Sequence, residues 1–174
     1  IRAFAKASLP HAEYWILGDG AEQHRLQALA IELGVSLQVK FFGKLPRAAT
    51  LQKIPDCNTL AHPTLHDSGG WVCMEAMAAG RPVLCLDLGG PAVQVTDQTG
   101  IKIPALNPHQ AVRGLASAMV RLATNEKLRS QLGNAGQKRV HELYSWQAKG
   151  EELSHLYQTL APASPLPSGV RHLC

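Results

Sequence analysis

The sequence predicts an α/β fold: a parallel sheet with helices on both of its faces. Two observations carry that prediction. Before Pro108, short apolar runs of strand length alternate with helical patterns, which is the signature of βαβ units rather than hairpins. Strands joined this way form a parallel sheet buried on both faces. The ends of these runs also carry glycines, at Gly18-Asp19-Gly20, Gly43-Lys44-Leu45, His62 to Gly70 and Asp87 to Pro91. In a doubly wound sheet the carboxyl ends of the strands are where ligands bind, so this edge is the place to look for function.

The elements follow in order. "IRAFAKA" reads as a helix already in mid-course, with no initiator Met, so the chain is expected to be a fragment of a longer protein. Pro10 breaks that helix, and "EYWIL", Glu13 to Leu17, reads as a buried strand. "AEQHRLQALAIELG" has helical apolar spacing, with Gly34 where a C-cap belongs. "LQVKFFG" gives a second strand, Leu37 to Phe42. "PRAATLQKI" gives a short helix with Pro46 near its first turn. "NTLAHP" is the third strand, closed by Pro63. "WVCMEAMAAG" is a helix ending at Gly80, "PVLCLD" a fourth strand and "GIKIP" a fifth. Three helices complete the chain, from about Pro108 to Ala123, Asn125 to Tyr144 and Ser145 to Leu160. Asn125 and Ser145 are good N-cap residues. The reading is one domain over residues 1–160 and a Pro- and Ser-rich flexible tail over 161–174.

Bulk composition narrows the function classes. A chain of 174 residues with 45% hydrophobic and 17% charged residues has the makings of an ordinary globular core. The net charge of +4 is scattered, with no run of five basic residues. It suits an anionic ligand and gives no reason to expect nucleic acid. No apolar run approaches the ~18 residues of a membrane span. The four cysteines form no CxxC, which predicts reduced, mostly buried thiols and a cytoplasmic location.

The chemistry concentrates in "LHDSGGWVCMEAMAAGRPVLCLDLGGP", Leu65 to Pro91. Ser68-Gly69-Gly70 precedes a helix start, where unpaired N–H groups and the positive end of the dipole favour an anion. Gly69, Gly70, Trp71 and Val72 are therefore candidates to hold a pyrophosphate. The competing reading is a plain loop in which Asp67 or Ser68 caps the helix, and spacing alone leaves the two level. Glu75, about one turn into the helix, is placed to accept hydrogen bonds from a vicinal diol such as a ribose. The competing reading there is a solvent-facing or salt-bridged Glu. Gly89-Gly90-Pro91 either lines the same pocket or only makes a turn. "HPTLHD" puts two His near Asp67, yet no HExxH pattern follows, so no metal is expected. GxSxG, GxxxxGK[ST] and GxGxxG are all absent, which argues against a serine nucleophile, a P-loop and a nicotinamide cofactor.

The run from "WILGDG" through "VKFFGKLP", "HDSGGWVCMEAMAAGRPVLCLDLGGP" and "TGIKIPA" to "YSWQAKGEELSHLYQTL" resembles the C-terminal, donor-binding domain of GT-B glycosyltransferases of the group-1 type, glycosyltransferase family 4. The likeness covers about residues 1 to 160. It implies a Rossmann-like parallel sheet flanked by helices, the C-terminal half of a GT-B enzyme. The implied reaction transfers a hexose from a UDP-, GDP- or ADP-sugar to an acceptor, with retention and without metal or cofactor. In that family two acids stand with seven residues between them. The resemblance therefore implies that Asp67 touches the donor sugar and Glu75 the ribose. It also places Ser68 to Val72 around the phosphates and Gly18, Lys44 and Leu45 near the nucleotide.

Partners follow from the same resemblance: the nucleotide-sugar donor, an N-terminal acceptor-binding domain of the same enzyme and, through that domain, peripheral membrane association. The family's phosphate-gripping basic pair falls before Ile1, so the fragment is expected to fold and bind donor weakly without turnover. Two departures stand out. The first acid is usually Glu and is here the shorter Asp67, and the usual Phe-Gly after it is Gly69-Gly70-Trp71. The alternatives are a non-catalytic nucleotide-sugar-binding module and a GT-B epimerase relative.

Overall fold

The structure, a computed structural model, describes residues 1–160; the expected tail, 161–174, lies outside the described residues. Helix α1 (Arg2–Ala7) leads into β1 (Tyr14–Leu17), α2 (Gln23–Glu32), β2 (Val39–Gly43) and α3 (Arg47–Lys53). After a single 3₁₀ turn at Ile54–Asp56 come β3 (Leu60–His62), α4 (Trp71–Ala78), β4 (Val83–Leu86), α5 (Gly89–Gln94) and β5 (Gly100–Ile103). Helices α6 (Pro108–Thr124), α7 (Glu126–Leu143) and α8 (Trp146–Leu160) finish the chain. The expected caps are in place. The Asn125 side chain accepts from Leu128 N–H at 2.8 Å and the Ser145 hydroxyl from Ala148 N–H at 3.1 Å. Asn107 does the same for α6, accepting from Gln110 N–H at 2.9 Å, with Pro108 at the first helical position.

Every strand pairing is parallel, as the alternation predicts, but the strands form two ladders rather than one. β1 pairs with β2, and β3-β4-β5 form the other sheet. β4 is the central strand of the second sheet, and Val83, Leu84 and Cys85 are fully buried. Helices hold the two ladders together. Ala3 and Ala7 of α1 pack with Leu84, Leu86 and α6, while Phe4, in the same helix, packs with Val39 and Ala30 beside the first ladder. Met119 of α6 touches both clusters. A helix of 6 residues thus joins two cores by presenting Ala at i and i+4 to one and Phe between them to the other.

The thiols behave largely as expected. Cys73 and Cys85 are buried beside β4, and burial pushes them up to about 12 and about 11. Cys57 is half-buried, with its thiol raised chiefly by burial. α8 lies on the surface. None of its residues is buried, and Trp146, Leu153, Leu156, Tyr157 and Leu160 are exposed.

Close packing of α7 on α4 fixes the back of the site helix. A Cβ on Gly133 would stand 2.0 Å from the Gly80 carbonyl oxygen, at the turn that follows α4. A Cβ on Gly136 would stand 3.1 Å from Met77 Cγ of α4. Backbone cannot yield as a side-chain tip does, so the usual gain of ~1 kcal/mol for Gly→Ala in a helix reverses sign here. Gly133→Ala is expected to cost about 1–3 kcal/mol through overpacking. Gly150→Ala, in α8 with nothing within 4 Å, should be neutral or stabilising. Thermal melts of both variants check this, and equal melting temperatures would contradict it.

Candidate functional site

The site is built on the loop between β3 and α4. His62 ends β3, and the chain reaches α4 through Asp67 to Gly70. The Asp67 carboxylate turns back on its own loop. Its Oδ1 accepts the N–H groups of Gly69 at 3.0 Å and Gly70 at 2.7 Å. Its Oδ2 lies 2.9 Å from His62 Nε2. Asp67 is therefore held below the usual carboxylate range, first by the Gly70 N–H and then by the His62 side chain. Side chains of Asp and His are both about one-quarter exposed, at 26%.

The glycines here are obligatory for two reasons. Gly70 has φ +55° at the N-cap of α4, a left-handed conformation that suits Gly. A Cβ on Gly70 would also stand 2.6 Å from the Gln94 side-chain oxygen. Gln94, 7% exposed at the end of α5, donates its amide N–H to the Gly69 carbonyl. Its own main-chain oxygen accepts from Arg139 Nε at 2.9 Å. The second glycine pair supports the same loop. Gly90 N–H donates to the Asp67 carbonyl at 2.9 Å. A Cβ on Gly89 or Gly90 would stand 2.5 or 2.4 Å from the Asp67 or Ser68 carbonyl oxygen. Gly89-Gly90 therefore back the site loop and do more than make a turn.

Gly69 and Gly70 spend their N–H groups on Asp67. The first-turn N–H groups of Trp71 and Val72 have no acceptor inside the helix and point out of the N-terminus of α4. The Trp71 side chain is 69% exposed and folds back beside Gly69, where a Cβ would meet its ring at 2.9 Å. Ser68 is exposed at the same turn.

Glu75, one turn into α4, forms an ion pair with Arg47. Arg47 Nη2 lies 2.7 Å from Glu75 Oε1; the Arg side chain is 75% exposed and the Glu 18%. This pair connects α4 to the start of α3. Gly18, just after β1, donates its N–H to the Gly43 carbonyl at 2.8 Å, which ties the β1 end to the end of β2. Lys44 is exposed and Leu45 half-buried just beyond. The sequence-predicted residues thus fall into two groups. Asp67 to Val72 and Glu75 share one loop and helix start, while Gly18, Lys44 and Leu45 lie at the ends of β1 and β2, and Arg47 is the residue that reaches across to Glu75. Arg47, His62 and Gln94 were not singled out from the sequence for these roles. Their partners are distant in the chain or lie across a loop, and nothing in their local spacing announces the contact.

The Asp67 turn has a pH signature. A carboxylate with a lowered folded pKa stabilises the fold above its ordinary value of 3.8, and that stability is lost as pH falls through the folded value. Asp67→Asn removes the charge that Gly70 N–H and His62 stabilise. It is expected to lower the melting temperature by several degrees at pH 7. The gap from wild type should close as pH drops below about 3.8. A gap that stays constant down to acid pH would contradict the assignment.

The family model for glycosyl transferases group 1 matches residues 1–139, which includes the whole site. The D-inositol 3-phosphate glycosyltransferase of Corynebacterium jeikeium is 32% identical over 145 residues, covering 83% of this chain and 33% of that protein. A GDP-mannose-dependent monoacylated alpha-(1-6)-phosphatidylinositol monomannoside mannosyltransferase of Corynebacterium glutamicum is 29% identical, covering 88% of this chain and 40% of its own length. The chain therefore spans well under half of these relatives. The solved sucrose-phosphate synthase of Thermosynechococcus elongatus matches with a TM-score of 0.77 at 28% identity, over 93% of this chain and 42% of that one. The fold is that of part of a GT-B glycosyltransferase, as the resemblance implied. From the family match, which takes in most of its length, the chain belongs to the group 1 glycosyl transferases.

Proposed function

We propose that this chain is the donor-binding domain of a retaining, metal-independent glycosyltransferase that draws its sugar from a nucleoside-diphosphate sugar. The observation that carries the reading is the placement of Glu75. Its carboxylate stands one turn behind the open N–H groups of Trp71 and Val72, at the carboxyl edge of the strands. A nucleoside diphosphate has a diol and a diphosphate separated by one sugar ring, and this edge offers acceptors and donors in the same order. The GDP-mannose dependence of one relative supports a nucleotide-sugar donor.

In this reading Glu75 accepts hydrogen bonds from the ribose hydroxyls. Charge grows on the diphosphate as the glycosidic bond breaks. The Trp71 and Val72 N–H groups, reinforced by the α4 dipole, stabilise that charge without reorganising. The Ser68 hydroxyl adds a donor at the same turn. Asp67 has a double part. Oδ1 holds the turn, and Oδ2, which carries only the His62 contact, retains a lone pair for a sugar hydroxyl. Gly18, Lys44 and Leu45 border the nucleotide. The acceptor is held by an N-terminal domain of the same enzyme, and the exposed apolar residues of α8 offer a surface for that domain. No helix among the described residues is long and apolar enough to cross a membrane; the cytoplasm is the proposed location.

Calorimetry of the intact protein with UDP-glucose, GDP-mannose and ADP-glucose tests the reading. One donor should bind, and Glu75→Ala should weaken it about 10- to 100-fold, the worth of hydrogen bonds to a charged group. Unchanged affinity in that variant would remove Glu75 from the site. Binding with no transfer to any acceptor would favour a non-catalytic module instead.

A further inference from the structure

We propose that Arg47 is the second jaw of a clamp on the ribose diol, in which each hydroxyl donates to Glu75 and accepts from the Arg47 guanidinium. The inference rests on the reading that Glu75 takes the ribose, and it adds a specificity-determining residue to that site.

Three observations point to Arg47. First, its Nη2 sits 2.7 Å from Glu75 Oε1. No other ion pair or hydrogen bond among the described residues engages the Arg47 side chain or Glu75 Oε2. The pair thus leaves one carboxylate oxygen and most of a guanidinium fork open on the same spot. Second, local helix physics does not explain an Arg there. Arg47 is the first residue of α3, at the positive end of the dipole, where a cation is disfavoured. α3 has no acidic residue in its first turn and no side-chain cap to offset it. Third, the ion pair is poor glue for the fold. With the Arg side chain 75% exposed, water screens the attraction, and such pairs contribute little to stability.

The chemistry matches a diol. A hydroxyl is one donor and two acceptors, whereas a carboxylate accepts only and a guanidinium donates only. Glu75 alone satisfies the hydroxyl protons and leaves the hydroxyl oxygens to water. Arg47 beside it supplies N–H groups to those oxygens, and its planar fork fits two neighbouring acceptors better than a Lys ammonium does. Of the other cations near this edge, Lys44 is exposed on the loop before α3, while Lys102 and Lys53 are occupied. Lys102 Nζ lies 3.4 Å from Asp87 and donates to the Ala92 carbonyl, and Lys53 sits over the rings of Trp15 and Phe42.

The test is a ligand-by-variant cycle on the intact protein. Calorimetry measures UDP, GDP and ADP, each beside its 2′,3′-dideoxy form, against wild type, Arg47→Ala and Arg47→Lys. For whichever nucleotide binds, Arg47→Ala should lower the affinity of the ribo form by about tenfold or more, as loss of a charge-assisted hydrogen bond does. The dideoxy form, which lacks the hydroxyls, should change by less than about twofold in the same variant. Arg47→Lys should recover part of the ribo affinity. Unchanged melting temperature confirms that the fold is intact, as the exposure of Arg47 leads one to expect. Equal loss for ribo and dideoxy forms would overturn the clamp and place Arg47 on the base or phosphates. Tighter binding in Arg47→Ala would overturn it too, since the Arg would then only obstruct Glu75. If wild type itself fails to distinguish ribo from dideoxy, the ribose role of Glu75 falls, and the clamp with it.

Discussion

One carboxylate organises the edge of this domain. Asp67 takes both the Gly69 and Gly70 N–H groups on a single oxygen. That fold-back sets the direction in which the chain enters α4. It leaves Trp71 and Val72 as the outward donors and brings Glu75 round one turn later. The arrangement tolerates no side chain at several neighbouring points. Gln94 fills the space beside Gly70, and Gly89 and Gly90 press their backbone against the Asp67 and Ser68 carbonyls. Loop, glycine pair and buried amide are therefore one packed unit. A change at any of them displaces the helix start, and with it the donors that an anionic ligand would meet.

The two strand ladders add a second constraint. β1-β2 and β3-β4-β5 share no strand pairing, so the halves of the ligand edge are positioned by helices and side chains. α1 and Met119 lock the cores together behind the edge. At the edge itself, Arg47 and Glu75 meet across the halves, and Gly18 N–H with the Gly43 carbonyl joins the two strand ends of the first ladder. An exposed ion pair holds its partners weakly. The front of the site is consequently softer than the back, where α7 is pressed against α4 through Gly133 and Gly136. Rigidity lies behind the Trp71 and Val72 N–H groups, and compliance lies on the side where Arg47 meets Glu75.

Much of this was legible in the sequence because it depends on local periodicity. Strand-helix alternation gave the parallel pairing and the ligand edge, and the Asn125 and Ser145 caps announced their helices. Strand limits moved by no more than two residues at the ends, where pairing rather than composition decides. What stayed hidden is long-range. Gln94 reaches Gly69 across 25 residues of chain, and Arg47 reaches Glu75 across a strand and a loop. The separation into two ladders was hidden for the same reason, since composition marks a strand without naming its neighbour. The apolar spacing of α8 fits a buried face and an exposed one equally, and only the packed structure distinguished them.

The departures from the family pattern look independent in the sequence and become one feature in the fold. An Asp reaches the N–H groups two and three residues ahead of it with a short side chain, which is the ordinary geometry of an Asx turn. That turn delivers the chain to Gly70 in a left-handed conformation, with a Gln amide where a Cβ would be. A Phe at the Gly69 or Gly70 position would have to displace Trp71 or Gln94. Restoring a longer first acid without refilling the loop would leave the Gly69 and Gly70 N–H groups without their partner at the same reach. The acid, the glycines and the tryptophan that folds over them are therefore expected to change together or not at all. Asp67 is thus a structural member of the loop, and the proposed function draws only on its second oxygen.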